Sequence, residues 1–256
     1  MDINNTTAII TGGASGIGKA TVELFLENGS NVVIVDSDQD KLQFVSSLLG
    51  RNNKIMYENT DVRNSNQIIN TIEKTIKKYN KIDILFNNAG VELNKEIHTL
   101  SENEWDYVLD TNLKGTFLCS KYVIPKMIKN GGGVIINNSS QMAKLALTKA
   151  SSYCASKSAI IGLTKAMAID LAKYNIRVNA ILPGSVDTPL MWTGIDEDQL
   201  DIVKKECNDA VPMGRVAQTS EIAKFVLFLV SNQSSYITGA CLDIDGGLGA
   251  KLATYK

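Results

Sequence analysis

Three residues in the middle of the chain have the types and spacing that proton transfer to a carbonyl or alcohol requires. Tyr153 and Lys157 lie four apart in the helical run SSYCASKSAIIGLTKAMAID, so both side chains leave the same helix face. A lysine cation beside a phenol favours the phenolate and is expected to lower the tyrosine pKa from about 10 toward working pH. Ser140 stands at the end of a predicted strand. A helical tyrosine often only packs, so this constellation depends on the cofactor signals that accompany it.

A glycine-rich turn before the first predicted helix has the features of a pyrophosphate site. The first predicted strand runs into TGGASGIG, with glycines at 12, 16 and 18. Glycines allow a tight turn and let backbone N–H groups approach a pyrophosphate, whose charge is favoured at a helix N-terminus. The spacing G-x-x-x-G-x-G differs from the commoner G-x-G-x-x-G, and a plain turn is the alternative. Its place after the first strand favours dinucleotide binding.

Asp36 ends the second predicted strand and favours NAD over NADP. In dinucleotide folds an acid at this point accepts hydrogen bonds from ribose hydroxyls and repels a 2′-phosphate. The first basic residue after it is Lys41. The alternative is that Asp36 is only a loop acid or a helix N-cap. Ser37 and Asp38 could cap the next helix equally well.

The elements that position these residues alternate along the chain as apolar strands and amphipathic helices. Strands are predicted at 6–11, 31–36, 54–61, 82–87, 133–139, 176–182 and 241–244. Helices are predicted at about 17–28, 39–49, 65–79, 102–128, 152–173, 197–208 and 219–231. This alternation is typical of an α/β fold with a doubly wound parallel sheet of about seven strands and helices on both faces.

Composition and charge exclude several classes of function. The chain has 256 residues, 26 Lys+Arg against 27 Asp+Glu and a sequence pI of about 5.9, so no overall charge attracts nucleic acid or an anionic membrane. No signal peptide or long apolar segment is evident, which predicts a cytoplasmic protein. The four cysteines lack metal or disulfide spacing, and His98 is the only histidine. We therefore expect no metal site.

The alternation gives no domain boundary, so residues 1–256 are predicted to form one dinucleotide-binding catalytic domain. The one irregular stretch follows the sixth strand and contains the mixed-charge run DEDQLDIVKKE. Because ligands of open α/β sheets bind at the carboxyl ends of strands, residues 187–212 are predicted to form a substrate loop or lid. The alternative is a solvated surface helix.

The motifs, in order and over the full length, resemble the short-chain dehydrogenase/reductase family. The resemblance rests on TGGASGIG at 11–18, NNAG at 87–90, Asn112, the Ser140…Tyr153-x-x-x-Lys157 spacing, Pro183-Gly184 and ITGACLDIDGG near the C-terminus. It implies a Rossmann-type oxidoreductase with NAD as cofactor. Such an enzyme interconverts a secondary alcohol and a ketone, or a hemiacetal and a lactone.

The resemblance also implies catalytic roles. Tyr153 would exchange the proton with the substrate oxygen, and Lys157 would hold the nicotinamide ribose and tune Tyr153. Ser140 would orient the reacting group, with Ser139 as the adjacent alternative. Asn112 would help to hold a water in the proton relay; the alternative is an asparagine that only ties elements together.

A larger set is implied to contact the dinucleotide. Asn88 and Gly90 match the turn beneath the adenine ribose, and Asp61-Val62 matches the adenine edge. Val186 and Thr188 match the contacts to the nicotinamide carboxamide. The complete set is Gly12, Ser15, Gly16, Ile17, Gly18, Asp36, Asp61, Val62, Asn88, Gly90, Tyr153, Lys157, Pro183, Gly184, Val186 and Thr188.

For the substrate, the run SSQMAKLALTKASSYCASK and Glu92 after NNAG resemble bacterial and archaeal aldose 1-dehydrogenases. There an acid contacts a sugar hydroxyl, and a carboxylate can accept two such bonds. Glu92, Ser140, Lys144 and Trp192 are therefore predicted to contact a sugar or polyol; a solvent-facing Glu92 is the alternative.

Two other functions are weighed against this one. The resemblance extends to 3-oxoacyl thioester reductases, but those that act on carrier protein tend to have basic residues where this chain has NGGG and KYN, at 130–133 and 173–175. The second is a non-catalytic dinucleotide sensor, which would usually lack the tyrosine or the lysine. The resemblance also implies a homotetramer, formed mostly through helices 102–128 and 152–173, the latter being apolar on more than one side.

Overall fold

The computed structural model describes residues 2–50 and 52–252, and their strands form one seven-stranded parallel sheet. The strands are β1 (Thr7–Thr11), β2 (Asn31–Asp36), β3 (Ile55–Asn59), β4 (Ile84–Asn87), β5 (Gly133–Asn138), β6 (Ile176–Pro183) and β7 (Cys241–Ile244). Their order is β3-β2-β1-β4-β5-β6-β7, with every neighbouring pair parallel. The predicted doubly wound α/β fold is confirmed. The strand order reverses between β1 and β4, which opens a crevice at the carboxyl ends of these strands.

Helices cover both faces of the sheet. They are α1 (Gly16–Glu27), α2 (Gln39–Leu49), α3 (Ser65–Tyr79), α4 (Glu102–Leu109), α5 (Gly115–Lys129), α6 (Ser151–Leu171), α7 (Leu200–Ala210) and α8 (Thr219–Val230). One core cluster joins the sheet to α1, α2 and α8, and the other joins it to α3, α5 and α6. In β2, Val32 and Ile34 enter the first cluster and Val33 and Val35 the second. This two-sided burial explains why the strands are continuous apolar runs.

The single helix predicted at 102–128 is wrong, because a π-helical turn (Asp110–Lys114) separates α4 from α5. Asn112 lies in this turn and is fully buried. Its side chain reaches across to the backbone of Val91, a contact that hydrophobic periodicity does not reveal. Single π-turns inside helices often occur at functional sites.

The predicted lid region consists of turns followed by α7. No residue of α7 is fully buried, unlike those of α6 and α8. Among the described residues, no helix has the length and apolar character to cross a membrane. The same residues contain no group of three or more side chains suited to binding a metal ion.

Candidate active site

The glycine-rich turn between β1 and α1 is too tight for side chains at its key positions. Gly12 and Gly16 have φ angles of 61° and 51°, values that other residues rarely adopt. A Cβ atom on Gly18 would lie 2.0 Å from the Gly12 carbonyl oxygen. The N-cap of α1 is Ser15, whose hydroxyl makes no capping hydrogen bond. The turn therefore leaves backbone N–H groups and one hydroxyl for an anion at the start of α1.

The segment after β6 closes over this turn. A Cβ atom on Gly16 would lie 3.3 Å from Cγ2 of Thr188. Gly184 N donates to the Ile244 carbonyl at 3.1 Å, and a Cβ atom on Gly184 would lie 2.8 Å from Asp245. Val186 is buried. Thr188 thus stands beside the predicted phosphate turn although it is far from it in the sequence, whereas Gly184 packs against the end of β7.

Asp36 points back at the glycine-rich turn. Its Oδ2 accepts from Ala14 N at 3.2 Å, and its Oδ1 accepts from Asp38 N at 3.1 Å. The cap of α2 is Asp38, which accepts from the N–H groups of Asp40 and Lys41. Lys41 also forms an ion pair with Asp38. Asp38 therefore caps α2, and the Asp36 carboxylate contacts the glycine-rich turn instead.

Asp61 and Val62 follow β3 at the same edge of the sheet. Val62 is buried, and a Cβ atom on Gly115 would approach its Cγ2 to 2.7 Å. The Asp61 carboxylate forms a two-pronged ion pair with Arg63, which holds the pKa of that carboxyl below its usual range. The sequence analysis did not single out Arg63. The only indication in the sequence is its position two residues after Asp61, an expected adenine contact.

Hydrogen bonds of asparagine side chains link the ends of β1, β4 and β5. Asn88 Nδ2 donates to the carbonyls of Thr11 and Gly12, both at 3.1 Å, and Asn138 Nδ2 donates to Asn88 Oδ1 at 2.9 Å. The Asn138 carbonyl accepts from Lys157 Nζ at 2.7 Å. Asn138 Oδ1 is buried without a hydrogen-bond partner. Sequence analysis missed Asn138, since only the fold places the ends of β4 and β5 side by side.

The two residues predicted to be catalytic lie on α6. Tyr153 and Lys157 are 9% and 3% exposed, and Lys157 Nζ lies 5.4 Å from the centre of the Tyr153 ring. Ser140 Oγ accepts from Met142 N at 3.1 Å, and its side chain interacts with the Tyr153 phenol. Ser139 instead donates to the Lys157 carbonyl at 2.8 Å. The structure thus brings Ser140, rather than the alternative Ser139, to the phenol.

Burial dominates the titration of both groups. It raises the pKa of Tyr153, and the nearby Glu92 carboxylate raises it further, while the hydrogen bond with Ser140 acts in the opposite direction. Burial lowers the pKa of Lys157 to about 8, and Glu92 opposes that shift. The lowered tyrosine pKa expected from helix spacing is therefore wrong for the protein alone. Spacing places the cation near the ring but gives no measure of desolvation.

Asn112 is held on every side. Its Oδ1 accepts from Val91 N at 2.8 Å, and its Nδ2 donates to the Val91 carbonyl at 2.9 Å and to Ser156 Oγ at 3.0 Å. A Cβ atom on Gly90 would lie 3.3 Å from Asn112 Oδ1 and 3.5 Å from Lys157 Nζ. Gly90 and Asn112 therefore adjoin the catalytic lysine.

The predicted substrate residues separate into two groups. Glu92 is partly buried and interacts electrostatically with Tyr153 and Lys157; burial raises its pKa and Lys157 opposes the rise. Lys144 pairs with Asp243 at 2.6 Å, which the sequence placed 99 residues away. Trp192 Nε1 donates to Asp187 Oδ1 at 2.7 Å, and Lys204 Nζ lies 5.7 Å from the indole ring. Glu92 thus lies within electrostatic range of Tyr153 and Lys157, whereas Lys144 and Trp192 have partners of their own.

Comparison with known proteins gives consistent relationships. A family profile described as enoyl-(acyl carrier protein) reductase matches residues 12–249. The NAD-dependent glycerol dehydrogenase of Listeria innocua is 40% identical over 98% of this chain and 96% of its own. The 3-ketoacyl-(acyl-carrier-protein) reductase of Brucella melitensis, solved with NADH, has a TM-score of 0.90 and 32% identity over 97% of this chain and 100% of its own. The aldohexose dehydrogenase of Thermoplasma acidophilum has a TM-score of 0.89 and 35% identity over 99% of this chain and 97% of its own.

Proposed function

The chain belongs to the short-chain dehydrogenase/reductase family, and from that premise we propose that it is an NAD-dependent dehydrogenase of a sugar or polyol. As a member it is an oxidoreductase that acts on CH–OH donors with a nicotinamide dinucleotide. One observation carries the proposed chemistry: a buried tyrosine and a buried lysine share one face of α6, with a serine hydroxyl bonded to the phenol.

The residues at the carboxyl edge fit a dinucleotide. The glycine-rich turn has no room for side chains, and the buried Asn138 Oδ1 is an acceptor without a partner. Gly12, Ser15, Gly16, Ile17 and Gly18 would hold the pyrophosphate at the start of α1. The bound dinucleotide supplies the hydride acceptor in oxidation and the hydride donor in reduction.

Tyr153 exchanges the substrate proton at its phenolic oxygen. In oxidation the phenolate takes the proton of the alcohol as the C–H bond breaks; in reduction the phenol returns it to the forming alkoxide. Ser140 Oγ accepts from Met142 N, so its hydroxyl remains a donor; it acts on the Tyr153 phenol in the protein alone and would turn to the reacting oxygen when substrate binds. The two hydroxyls thus fix the position of the substrate oxygen.

Lys157 provides the positive charge beside this phenol. Its ammonium is buried and bound to the Asn138 carbonyl, which leaves N–H donors for a ribose hydroxyl. The positive charge favours the phenolate. Asn112 fixes the backbone at Val91 next to Lys157 and would support a water that carries the proton outward.

NAD rather than NADP is proposed because of Asp36. Its carboxylate is held by two backbone N–H groups at the place where a 2′-phosphate would lie, and the nearest basic residue along the chain, Lys41, is paired with Asp38. A bound 2′-phosphate would meet negative charge without a compensating cation. The Listeria relative named as NAD-dependent supports the same preference.

A hydroxylated substrate is proposed because Glu92 lies beside the catalytic pair. A partly buried carboxylate there is costly unless ligand donors satisfy it, and two sugar hydroxyls would do so. The relatives named as glycerol and aldohexose dehydrogenases support this assignment. Residues 187–212 would act as the lid, since α7 has no fully buried residue.

The second candidate is reduction of a 3-oxoacyl thioester, favoured by the Brucella relative and by the description of the family profile. The deciding experiment incubates the protein with NAD and a panel of aldoses and polyols at alkaline pH, and with NADH and a 3-oxoacyl thioester at neutral pH. We expect NADH absorbance to grow with an aldose or polyol. Reduction of the thioester without oxidation of any aldose or polyol would establish the second candidate.

The assembly is proposed to be a cytoplasmic homotetramer formed through α4, α5 and α6. Phe117 of α5 and Ile169 of α6 are 45% and 80% exposed, and covering such side chains is favourable. Light scattering at micromolar concentration tests the assembly. A mass of the 27.8 kDa monomer would contradict it.

A further inference from the structure

The loop after β3 contains an unusually constrained carboxylate. Arg63 gives Asp61 three N–H donors: its backbone N to Oδ1 at 2.9 Å, Nε to Oδ1 at 2.9 Å and to Oδ2 at 3.0 Å, and Nη2 to Oδ2 at 2.5 Å. The two side chains are 29% and 39% exposed. Exposed ion pairs contribute little to stability, so stability alone does not account for this arrangement.

The arginine is itself fixed to a neighbouring helix. Its guanidinium lies 5.0 Å from the centre of the Tyr107 ring on α4, and Asp110, at the start of the π-turn, adds an electrostatic attraction. A planar guanidinium that makes a two-pronged contact with a carboxylate and packs on an aromatic ring fixes the orientation of that carboxylate. A lysine ammonium would not fix it. Asp61 is thereby fixed relative to α4.

The constrained carboxylate stands at the cofactor edge and has acceptor capacity left. Thr60, the residue before it, donates its N–H to the Asp36 carbonyl at 2.9 Å, so Asp61 lies next to the end of β2. A carboxylate has about four acceptor positions. The shared Nε–H counts once, so Arg63 fills about three of these positions and leaves the carboxylate able to accept one further N–H.

We propose that Arg63 is a positioning residue that aims the Asp61 carboxylate at the exocyclic amine of the adenine base. The inference rests on the proposed function, in which Asp61-Val62 contacts the adenine edge. It predicts selection between purines: a 6-amino group donates to the carboxylate, whereas a 6-oxo group would set an acceptor against it. Sites built to bond an N–H discriminate against analogues that lack it.

The test compares dissociation constants for NAD and nicotinamide hypoxanthine dinucleotide, measured by calorimetry without turnover. We expect the wild type to favour NAD by about tenfold, as for one hydrogen bond to a charged group. Arg63→Met keeps an apolar stem over Tyr107 but removes the side-chain donors. Its preference is expected to fall to about twofold or less, because the freed carboxylate rotates.

The matched control is Lys74→Met, which breaks an ion pair of similar exposure between α3 and β3, Lys74 to Glu58 at 2.8 Å. It is expected to keep the wild-type preference. Arg63→Lys retains charge without the fork and is expected to give an intermediate preference, which keeps the test open if Arg63→Met does not fold.

The outcomes separate the inference from the proposed function. A wild type that binds neither dinucleotide would refute both. A wild type without base preference, or Arg63 variants that weaken both dinucleotides equally and keep the preference, would overturn the role of Arg63 and leave NAD-dependent function standing.

Discussion

The two regions of the site that we propose to bind the dinucleotide and the substrate are held in different ways. On the first, asparagine amides, backbone groups and close glycine contacts join β1, β4 and β5. On the second, Lys144 and Trp192 form exposed pairs with Asp243 and Asp187. Exposed pairs exchange partners at little cost, whereas packed contacts do not. In the proposed function, the reaction therefore depends on contacts within the core of the fold, and substrate choice depends on side chains that can be replaced without disturbing that core.

The largest effect on cofactor affinity is expected on the packed side, from Gly18→Ala. The new Cβ would meet the Gly12 carbonyl oxygen at 2.0 Å, so the turn must open. Affinity for NAD is expected to fall about 10- to 100-fold, as overpacking costs about 1–3 kcal/mol. Gly162→Ala is the control, because its Cβ meets nothing within 4 Å; it should raise stability by about 0.5–1 kcal/mol. Calorimetric titration measures the affinity for NAD, and thermal melts measure the stability. Unchanged NAD binding in Gly18→Ala would refute the proposed pyrophosphate site at the glycine-rich turn.

A smaller effect is expected from Asp36→Ser, at the border of the two sides. The wild type should prefer NAD to NADP, and the variant should shift this preference toward NADP by about tenfold, because the negative charge opposing a 2′-phosphate is gone. The serine hydroxyl can still accept from a loop N–H. Steady-state titration of both cofactors measures the ratio. Equal or better kinetics with NADP in the wild type would defeat this assignment.

The smallest effect is expected from substitutions of Glu92, which should alter substrate binding but not folding. Glu92→Ala should raise KM for an aldose several-fold more than Kd for NAD, since only the substrate loses a partner. Glu92→Gln should also move the pH profile of oxidation to lower pH. The phenolate must form for oxidation, and the Glu92 carboxylate raises the pKa of Tyr153; removing its charge therefore lowers that pKa. A profile that stays in place, or shifts upward, would show that Glu92 does not act on Tyr153.

The sequence predicted those features that depend on neighbouring residues, or on a position that only one residue type can occupy. Runs such as NVVIVD predict buried strands, and the glycine positions follow from backbone geometry, so the fold and the phosphate turn were accessible. Contacts between distant segments were not. Asn138 meets Asn88 only because β4 and β5 are neighbours, and Asn112 in the π-turn bonds to Val91, which is 21 residues away in the sequence. The titration of Tyr153 required its burial, which spacing along a helix does not give.

The substitution Tyr153→Phe tests the central claim most directly, that the buried phenol on α6 transfers the substrate proton. It removes one oxygen from a packed ring, so calorimetry should show nearly unchanged NAD affinity. In the same protein kcat should fall at least about 100-fold, within the range for loss of a general acid/base. Lys157→Ala provides the contrast, since it should damage both NAD affinity and kcat. Near-normal turnover by Tyr153→Phe would contradict the account and require another base.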